Sequence, residues 1–326
     1  MKNNNAIKRF ETLKNEVQKG LTDYPKHLNS KFIYDKNGDR LFQDIMAMPE
    51  YYLTDAEMEI ISTYKKNIGE LFRDRENGLD LIELGAGDGK KTKVLLKHMA
   101  ENQFNFTYKP VDISENAVFS LTKTLAEELP DLETEPIVGE YFESLERIQN
   151  LNERKKVILF LGSNIGNMEH SQAIDFLGKL NELMNDDDLL FLGMDQKKDP
   201  EIILNAYNDK TGITAAFNKN ILERINSELD ANFDVSKFKH WETYNPESGT
   251  AKSYLLATEA TEVYIDALSL KVSLAAWESI HIEISQKYDD KAAAEIAELS
   301  NFEIVKTFTD SKDYYKNYVF RKIVNS

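Results

Sequence analysis

The sequence predicts an α/β protein built on a mainly parallel sheet covered by helices, with a second, smaller α+β domain. From residue 79 onward, short apolar runs alternate with helical stretches, the pattern of a sheet buried on both faces. A glycine-rich turn, ELGAGDGKK, joins the first apolar run to the helix after it. Within 199–285, two helical stretches are followed by a series of short strand-like segments.

The elements follow in order. A chain of 326 residues suggests about two domains at roughly 150 residues each. Residues 1–57 read as helices and loops, a polar amphipathic start followed by the aromatic-rich HLNSKFIYDKNGDRLFQDIMAMPEYYLTDAEMEII. Thr54 is expected to cap a helix, with Glu57 as its capping-box partner and the helix running to about Phe72. LDLIELG then reads as strand, KKTKVLLKHMAE as helix, TYKPVDIS as strand and ENAVFSLTKTLAEELP as helix. ETEPIVGEYFE and KKVILFLGSN read as strands, HSQAIDFLGKLNELM as helix and DDLLFLGMDQ as strand. IILNAYND and TAAFNKNILERINSELDANF are helical, and KSYLLATEA, TEVYIDA, LSLKVSL and SIHIEIS are short strands. The tail, FEIVKTFTDSKDYYKNYVFRKI, reads as two strands returning to the first sheet as an antiparallel pair. The expected domains are therefore 58–198 with 286–326 for the sheet, and 1–57 with 199–285 for the smaller one.

Composition excludes several function classes. Lys and Arg number 40 against 56 Asp and Glu, a formal charge of −16. Such a chain repels nucleic-acid phosphate and anionic lipid unless it concentrates a basic patch. The longest basic clusters, Lys90-Lys91 and Arg154-Lys155-Lys156, are short and flanked by acids. The absence of cysteine removes disulfides, thiolate nucleophiles, cysteine-ligated zinc and iron–sulfur clusters. His27, His98, His170, His240 and His281 show no close ligand spacing, so no metal site is expected. The N-terminus does not read as a signal peptide and no apolar run approaches a membrane span. A soluble cytoplasmic protein with no nucleic-acid or membrane partner is the expectation.

The strongest local signal is Gly85-x-Gly87-x-Gly89 between a strand and a helix. Glycine permits positive φ and a close approach of backbone to ligand. The dinucleotide fingerprint Gly-x-Gly-x-x-Gly would need the third glycine one residue later. Asp112, at the end of the next strand, can bind both ribose hydroxyls, and the pair Glu140-Tyr141 after the following strand can contact an adenine. The acid at Glu83 disfavours a pyrophosphate and suits a ligand with positive charge. A tight strand–helix turn that binds nothing, or a nicotinamide or flavin site, are the competing readings. Together the glycines and the spaced acids resemble the cofactor site of class I S-adenosylmethionine-dependent methyltransferases.

A longer resemblance narrows the class. YDKNGDRLFQDIMAMPEYYLTDAE, the glycine loop, FLGSNIGN, NAYNDKTGITAAFNKNILERINSELDANFD and IHIEIS occur in that order. They resemble the histidine-specific S-adenosylmethionine-dependent methyltransferases, whose bacterial members act on the α-nitrogen of L-histidine in ergothioneine biosynthesis. The resemblance runs from about Pro25 to the C-terminus. It implies a Rossmann-like class I methyltransferase domain with a smaller substrate domain, S-adenosyl-L-methionine as cofactor and free histidine as the small-molecule partner; a monomer is an expectation apart from the resemblance. The implied chemistry is three successive transfers to one nitrogen, ending in the betaine hercynine. Gly85 and Lys91 then fall at the cofactor's methionine part, with Glu83 and Gly87 in the same loop, Asp112 at its ribose, and Glu140 and Tyr141 at its adenine. Tyr51 and Asn167 match residues holding the substrate amino group and are the catalytic candidates. Gly162 and Asn164 lie in the same substrate-side motif as Asn167, Tyr207 matches a carboxylate binder, and Glu283 and Ser285 match the pair recognising the imidazole. Against the bacterial pattern, Glu140-Tyr141 replaces Asp-Phe, Asn164 replaces threonine, and Tyr254 stands near an expected substrate-side methionine. A rigid phenol in place of a flexible thioether reshapes a pocket.

The residues themselves agree where they can be read. In SIHIEIS, strand alternation puts Glu283 and Ser285 on one face and the isoleucines on the other. A carboxylate and a hydroxyl together can satisfy both ring nitrogens and disfavour an apolar side chain. His281 shares that face and is expected to be a spectator. Taken alone, Tyr51 and Tyr52 read as packing, Asn167 as a turn and Tyr207 as an ordinary helix residue. An Nα-methyltransferase for another amino acid or small amine, and a non-catalytic adenosylmethionine-binding protein, are the alternatives.

Overall fold

The computed structural model describes residues 2–149 and 154–324. Residues 1, 150–153 and 325–326 of the expected domain spans lie outside the described residues. The chain divides into two compact units, Met1–Tyr52 with Lys198–Ser285, and Leu53–Lys197 with Gln286–Ser326. The first break comes earlier than the one expected after 57, because Leu53–Phe72 is a single helix. Thr54 lies inside that helix and is not its cap. Leu53, Ala56, Ile60, Ile61, Ile68 and Phe72 form its buried stripe, and Glu57 shares that stripe with no exposed surface. Glu57 is therefore a core residue and not a capping partner, since positions three and four apart lie on one helical face.

The second unit carries a seven-stranded sheet. From one edge the strands are Phe302–Thr309, Tyr315–Lys322, Leu189–Asp195, Lys155–Phe160, Leu79–Leu84, Phe106–Asp112 and Ile137–Val138. The five from Leu189–Asp195 to Ile137–Val138 are parallel. The C-terminal pair adds antiparallel, with Tyr315 opposite Asp195. Leu79–Leu84 is flanked by Phe106–Asp112 on one side and Lys155–Phe160 on the other. The strand order reverses there, so a crevice at the carboxyl ends of these strands is the place an open α/β sheet offers a ligand. Ile82, Leu84, Ile158, Phe160, Leu190 and Leu192 pack against Leu177, Leu180 and Ile296. The expected strand ETEPIVGEYFE shrinks to Ile137–Val138, and a helix begins at Tyr141. Helix Asp290–Leu299, absent from the sequence reading, also belongs here.

The first unit holds a four-stranded sheet in the order Lys26–His27, Ser279–Gln286, Thr250–Ala257, Phe238–Asn245. Phe238–Asn245 was not expected as a strand; it pairs antiparallel with Thr250–Ala257, His240 opposite Leu255 and Glu242 opposite Ser253. Thr261–Ile265 and Leu270–Leu274 form a separate hairpin. Helices Lys36–Met46 and Ile213–Leu229 supply core residues such as Leu41, Phe217, Ile221 and Ile225, which join Leu255, Ile280 and Ile282. Asp35 caps the first of these, accepting from the N–H groups of Asn37 and Gly38. Among the described residues, no helix is long and apolar enough to cross a membrane.

Candidate active site

The glycine loop leaves the central strand at Gly85, whose N–H donates to the Val111 carbonyl at 2.8 Å. Gly85, Gly87 and Gly89 have φ of 73°, 54° and 62°, the left-handed region that glycine enters without strain. Asp112 closes the loop, accepting from Gly87 N–H at 3.2 Å and from Ser114 N–H at 2.9 Å, one on each oxygen. Each oxygen keeps a further lone pair, which suits a vicinal diol. A Cβ on Gly85 would lie 2.8 Å from Tyr141 Oη and 3.1 Å from Asn164 Nδ2, whereas one on Gly87 would meet nothing within 4 Å. Gly85, Tyr141 and Asn164 thus border one space beside a loop that faces open room. This donor and acceptor set fits a nucleoside carrying an amino-acid tail. Among the described residues no group of His, Cys, Asp and Glu could hold a metal ion.

Glu83 lies beneath the loop. It is buried and accepts from Thr92 Oγ1 at 2.6 Å and from the Tyr108 hydroxyl. Burial pushes its carboxyl up to about 7, against the opposing effect of those two hydrogen bonds. Its oxygens tie the first turn of helix Lys90–Glu101 to strand Phe106–Asp112. Tyr141 packs edge-on against Phe160 (5.8 Å) and Phe176 (6.2 Å). Burial raises its phenol pKa, and the nearby charges of Asp112 and Glu140 add to that. The Glu140 side chain itself is exposed.

FLGSNIGN forms the neighbouring loop. Gly162 (φ 71°) and Ser163 (φ 57°) are both left-handed, and Asn164–Asn167 is a 3₁₀ turn with Asn167 exposed at its end. Gly162 N–H donates to Glu57 Oε2 at 2.8 Å, and Ser163 Oγ accepts from Asp195 N–H at 3.0 Å. The Lys91 ammonium pairs with the same Glu57 Oε2. Sequence reasoning missed Glu57. The available signal was a carboxylate at a position where the helical stripe of Leu53, Ala56, Ile60 and Ile61 calls for an apolar residue.

In the first unit, Tyr51 stands edge-on to Phe42 (6.3 Å) and Tyr207 (6.2 Å). Tyr207 Oη and Ser285 Oγ are hydrogen-bonded at 2.9 Å. Residues matched to opposite ends of a ligand, carboxylate and ring, are thus bonded to each other. Along Ser279–Gln286, burial alternates only as far as Glu283: Ile280 and Ile282 are buried, His281 and Glu283 half-buried. Ile284 is then half-buried while Ser285 and Gln286 are both buried. The strict two-face pattern expected for the whole segment is lost where Ser285 engages Tyr207. His281 lies against the Tyr254 ring (5.4 Å), and its Nε2 is 3.1 Å from the Glu283 carbonyl oxygen. Tyr52 accepts from Lys198 Nζ at 2.8 Å. A buried pair, Ser253 Oγ donating to Glu242 at 2.6 Å, was not foreseen, because the strand bearing Glu242 was not.

Comparison with known proteins follows the same lines. The family described as histidine-specific, SAM-dependent methyltransferase matches residues 13–322. Histidine N-alpha-methyltransferase of Mycolicibacterium smegmatis is 36% identical over 290 residues, covering 88% of each chain. Its counterpart in Mycobacterium tuberculosis is 32% identical over 298 residues, covering 91% of each. Ergothioneine biosynthesis protein 1 of Schizosaccharomyces pombe is 27% identical over 301 residues, 90% of this chain and 39% of that one. A positive-φ glycine loop closed by a strand-end carboxylate and a match along nearly the whole length lead to one conclusion: the chain belongs to the histidine-specific, S-adenosylmethionine-dependent methyltransferases.

Proposed function

We propose that this enzyme methylates the α-amino nitrogen of free L-histidine, up to the trimethylated betaine hercynine, acting as a cytoplasmic monomer. The observation that supports this most is the linkage of Tyr51, Tyr207 and Ser285. Far apart in sequence, they form one connected cluster through a ring contact and a hydrogen bond. The relatives named for histidine Nα-methylation point the same way. The glycine loop, Asp112 and Tyr141 of the unit built on the seven-stranded sheet are assigned to the cofactor.

Adenosylmethionine, when bound, supplies an electrophilic methyl group on a sulfonium. Asp112 would hold its ribose, Tyr141 and Glu140 its adenine, and Gly85, Gly87 and Lys91 its methionine part, with Glu83 bracing the loop from beneath. The remaining work belongs to side chains that prepare the amine. An α-amino group is mostly protonated near neutral pH. Desolvation lowers its pKa, and the Asn167 amide oxygen and the Tyr51 phenol accept its N–H bonds and aim its lone pair. The proton leaves to water or through Tyr51. Gly162 and Asn164 complete the amine side, Tyr207 takes the carboxylate, and Glu283 with Ser285 takes the imidazole, with Tyr254 beside them. An acidic, aromatic surround tolerates the quaternary cation as methyl groups accumulate.

Mass spectrometry of products formed from adenosylmethionine and each free amino acid in turn tests the proposal. Histidine gaining up to three methyl groups on its α-nitrogen is expected. Methylation of a different amino acid, transfer to the ring, or tight cofactor binding without turnover would each refute it.

A further inference from the structure

Glu57 has no exposed surface, and burying a carboxylate is costly unless its oxygens are fully hydrogen-bonded. Its Oε2 receives the Lys91 ammonium and the Gly162 N–H (2.8 Å), and its Oε1 receives the Tyr315 hydroxyl (3.1 Å) and the Asn317 amide (2.9 Å). These donors fill the roughly four lone-pair sites a carboxylate offers. Strand Leu189–Asp195 leaves room for it at Gly193, where a Cβ would lie 2.3 Å from Glu57 Oε1 and 2.4 Å from Tyr315 Oη. The loop it grips is strained: Ser163, not a glycine, has φ of 57° directly after left-handed Gly162. Such backbone persists only where its surroundings over-determine it. Glu57 does so through Gly162, and the Asp195 N–H does so through Ser163 Oγ.

We propose that Glu57 is a positioning residue for methyl transfer, one carboxylate oxygen holding the lysine of the cofactor loop and the backbone of the Gly162–Asn167 loop in a single geometry. This rests on the assignment of Lys91 to the cofactor and of the Gly162 loop to the substrate. Glu57 acts through Lys91 and Gly162. A uniform loss of folded enzyme would lower kcat alone, whereas displacing these two groups also raises KM for both adenosylmethionine and histidine.

The experiment compares Glu57→Gln, Lys91→Met and the double variant, measuring adenosylmethionine affinity by calorimetry together with steady-state kinetics. Glu57→Gln is expected to fold, because Asn317 Oδ1 has no hydrogen-bond partner among the described residues and the Asn317 amide can turn to accept from the new amide. Cofactor affinity should fall about tenfold in each single variant, and the double variant should be no worse than Lys91→Met, as for residues acting as a unit. Glu57→Gln should also lower kcat by about tenfold or more. Wild-type affinity in Glu57→Gln beside weakened Lys91→Met, or strictly additive losses, would overturn the proposal. Unchanged affinity in Lys91→Met would overturn the assignment of Lys91, and the proposal with it. Should Glu57→Gln fail to fold, Gly193→Ala displaces the carboxylate without removing its charge. The same loss of affinity is expected there, and wild-type affinity in folded Gly193→Ala would overturn the proposal.

Discussion

The two sheets solve different problems. In the seven-stranded sheet, Leu79–Leu84 and Leu189–Asp195 are buried at every residue. In the four-stranded sheet, burial along Thr250–Ala257 alternates strictly. Parallel strands covered on both faces have few side chains to spare for a ligand, so the residues proposed for the cofactor gather around the strand ends, Gly85 and Gly87 in the turn, Asp112 at the end of its strand, and Lys91 and Tyr141 at the starts of helices. An antiparallel strand with one core face keeps every second side chain available. The amino-acid candidates Tyr254 and Glu283 lie half-buried within strands, and Ser285, buried near the end of its strand, meets Tyr207. On the proposed assignment, one unit would recognise chiefly through a backbone loop and the other chiefly through strand side chains.

The sharpest way to break this contrast is Gly85→Ala. Its Cβ would sit 2.8 Å from Tyr141 Oη at φ 73°, a strain of about 1–3 kcal/mol before any lost ligand contact. Adenosylhomocysteine affinity, by calorimetry, should fall about 100-fold. Glu283→Ala probes the other side. Hydrogen bonds to a charged group are worth about 1.5–3 kcal/mol, so kcat/KM for histidine should fall about 30-fold and preference over other amino acids should vanish. Cofactor affinity should stay within about twofold, and an equal loss there would contradict the assignment.

Stability against pH separates the units next. Burial raises Glu83 to about 7 from 4.5, so between these values the folded state binds more protons than the unfolded chain. Glu83 therefore stabilises the fold below pH 4.5 and loses that contribution as pH rises towards 7. His240, lowered to about 4 from 6.5 chiefly by burial, behaves oppositely. Its contribution is complete above pH 6.5 and is lost as pH falls towards 4. Relative to wild type, the melting temperature of Glu83→Gln should climb with rising pH across this range and that of His240→Gln should fall, each by a few degrees. The smallest effect is expected from Tyr254→Met. It exchanges the ring packed on His281 for a flexible thioether and should change KM for histidine about threefold, with cofactor affinity unaltered.

The geometry of the glycine loop was legible because its signals are local. Gly85, Gly87 and Gly89 sit at fixed offsets after an apolar strand, and Asp112 ends the next one. Glu57 was misread because Thr-x-x-Glu before an apolar run is also a capping box, and only three-dimensional packing shows the helix starting at Leu53. Phe238–Asn245 escaped notice because His240 and Glu242 occupy its buried face, spoiling the apolar alternation that marks a strand. The short helix Asp290–Leu299 buries only Ala293, Ile296 and Ala297, too faint a stripe to stand out.

The order of apolar runs, glycines and strand-end acids determined by itself the α/β class and the glycine turn between strand and helix, and the longer motifs carried the resemblance to the family. The class and the turn follow from periodicity and spacing, which survive without knowledge of neighbours, and the family from the likeness of those motifs to known sequences. Tertiary structure alone decided that Glu57 joins Lys91 to Gly162 and that Tyr207 meets Ser285. Such contacts join residues far apart in the chain, and a polar side chain in a core position carries no mark in the sequence of the partners that make its burial tolerable.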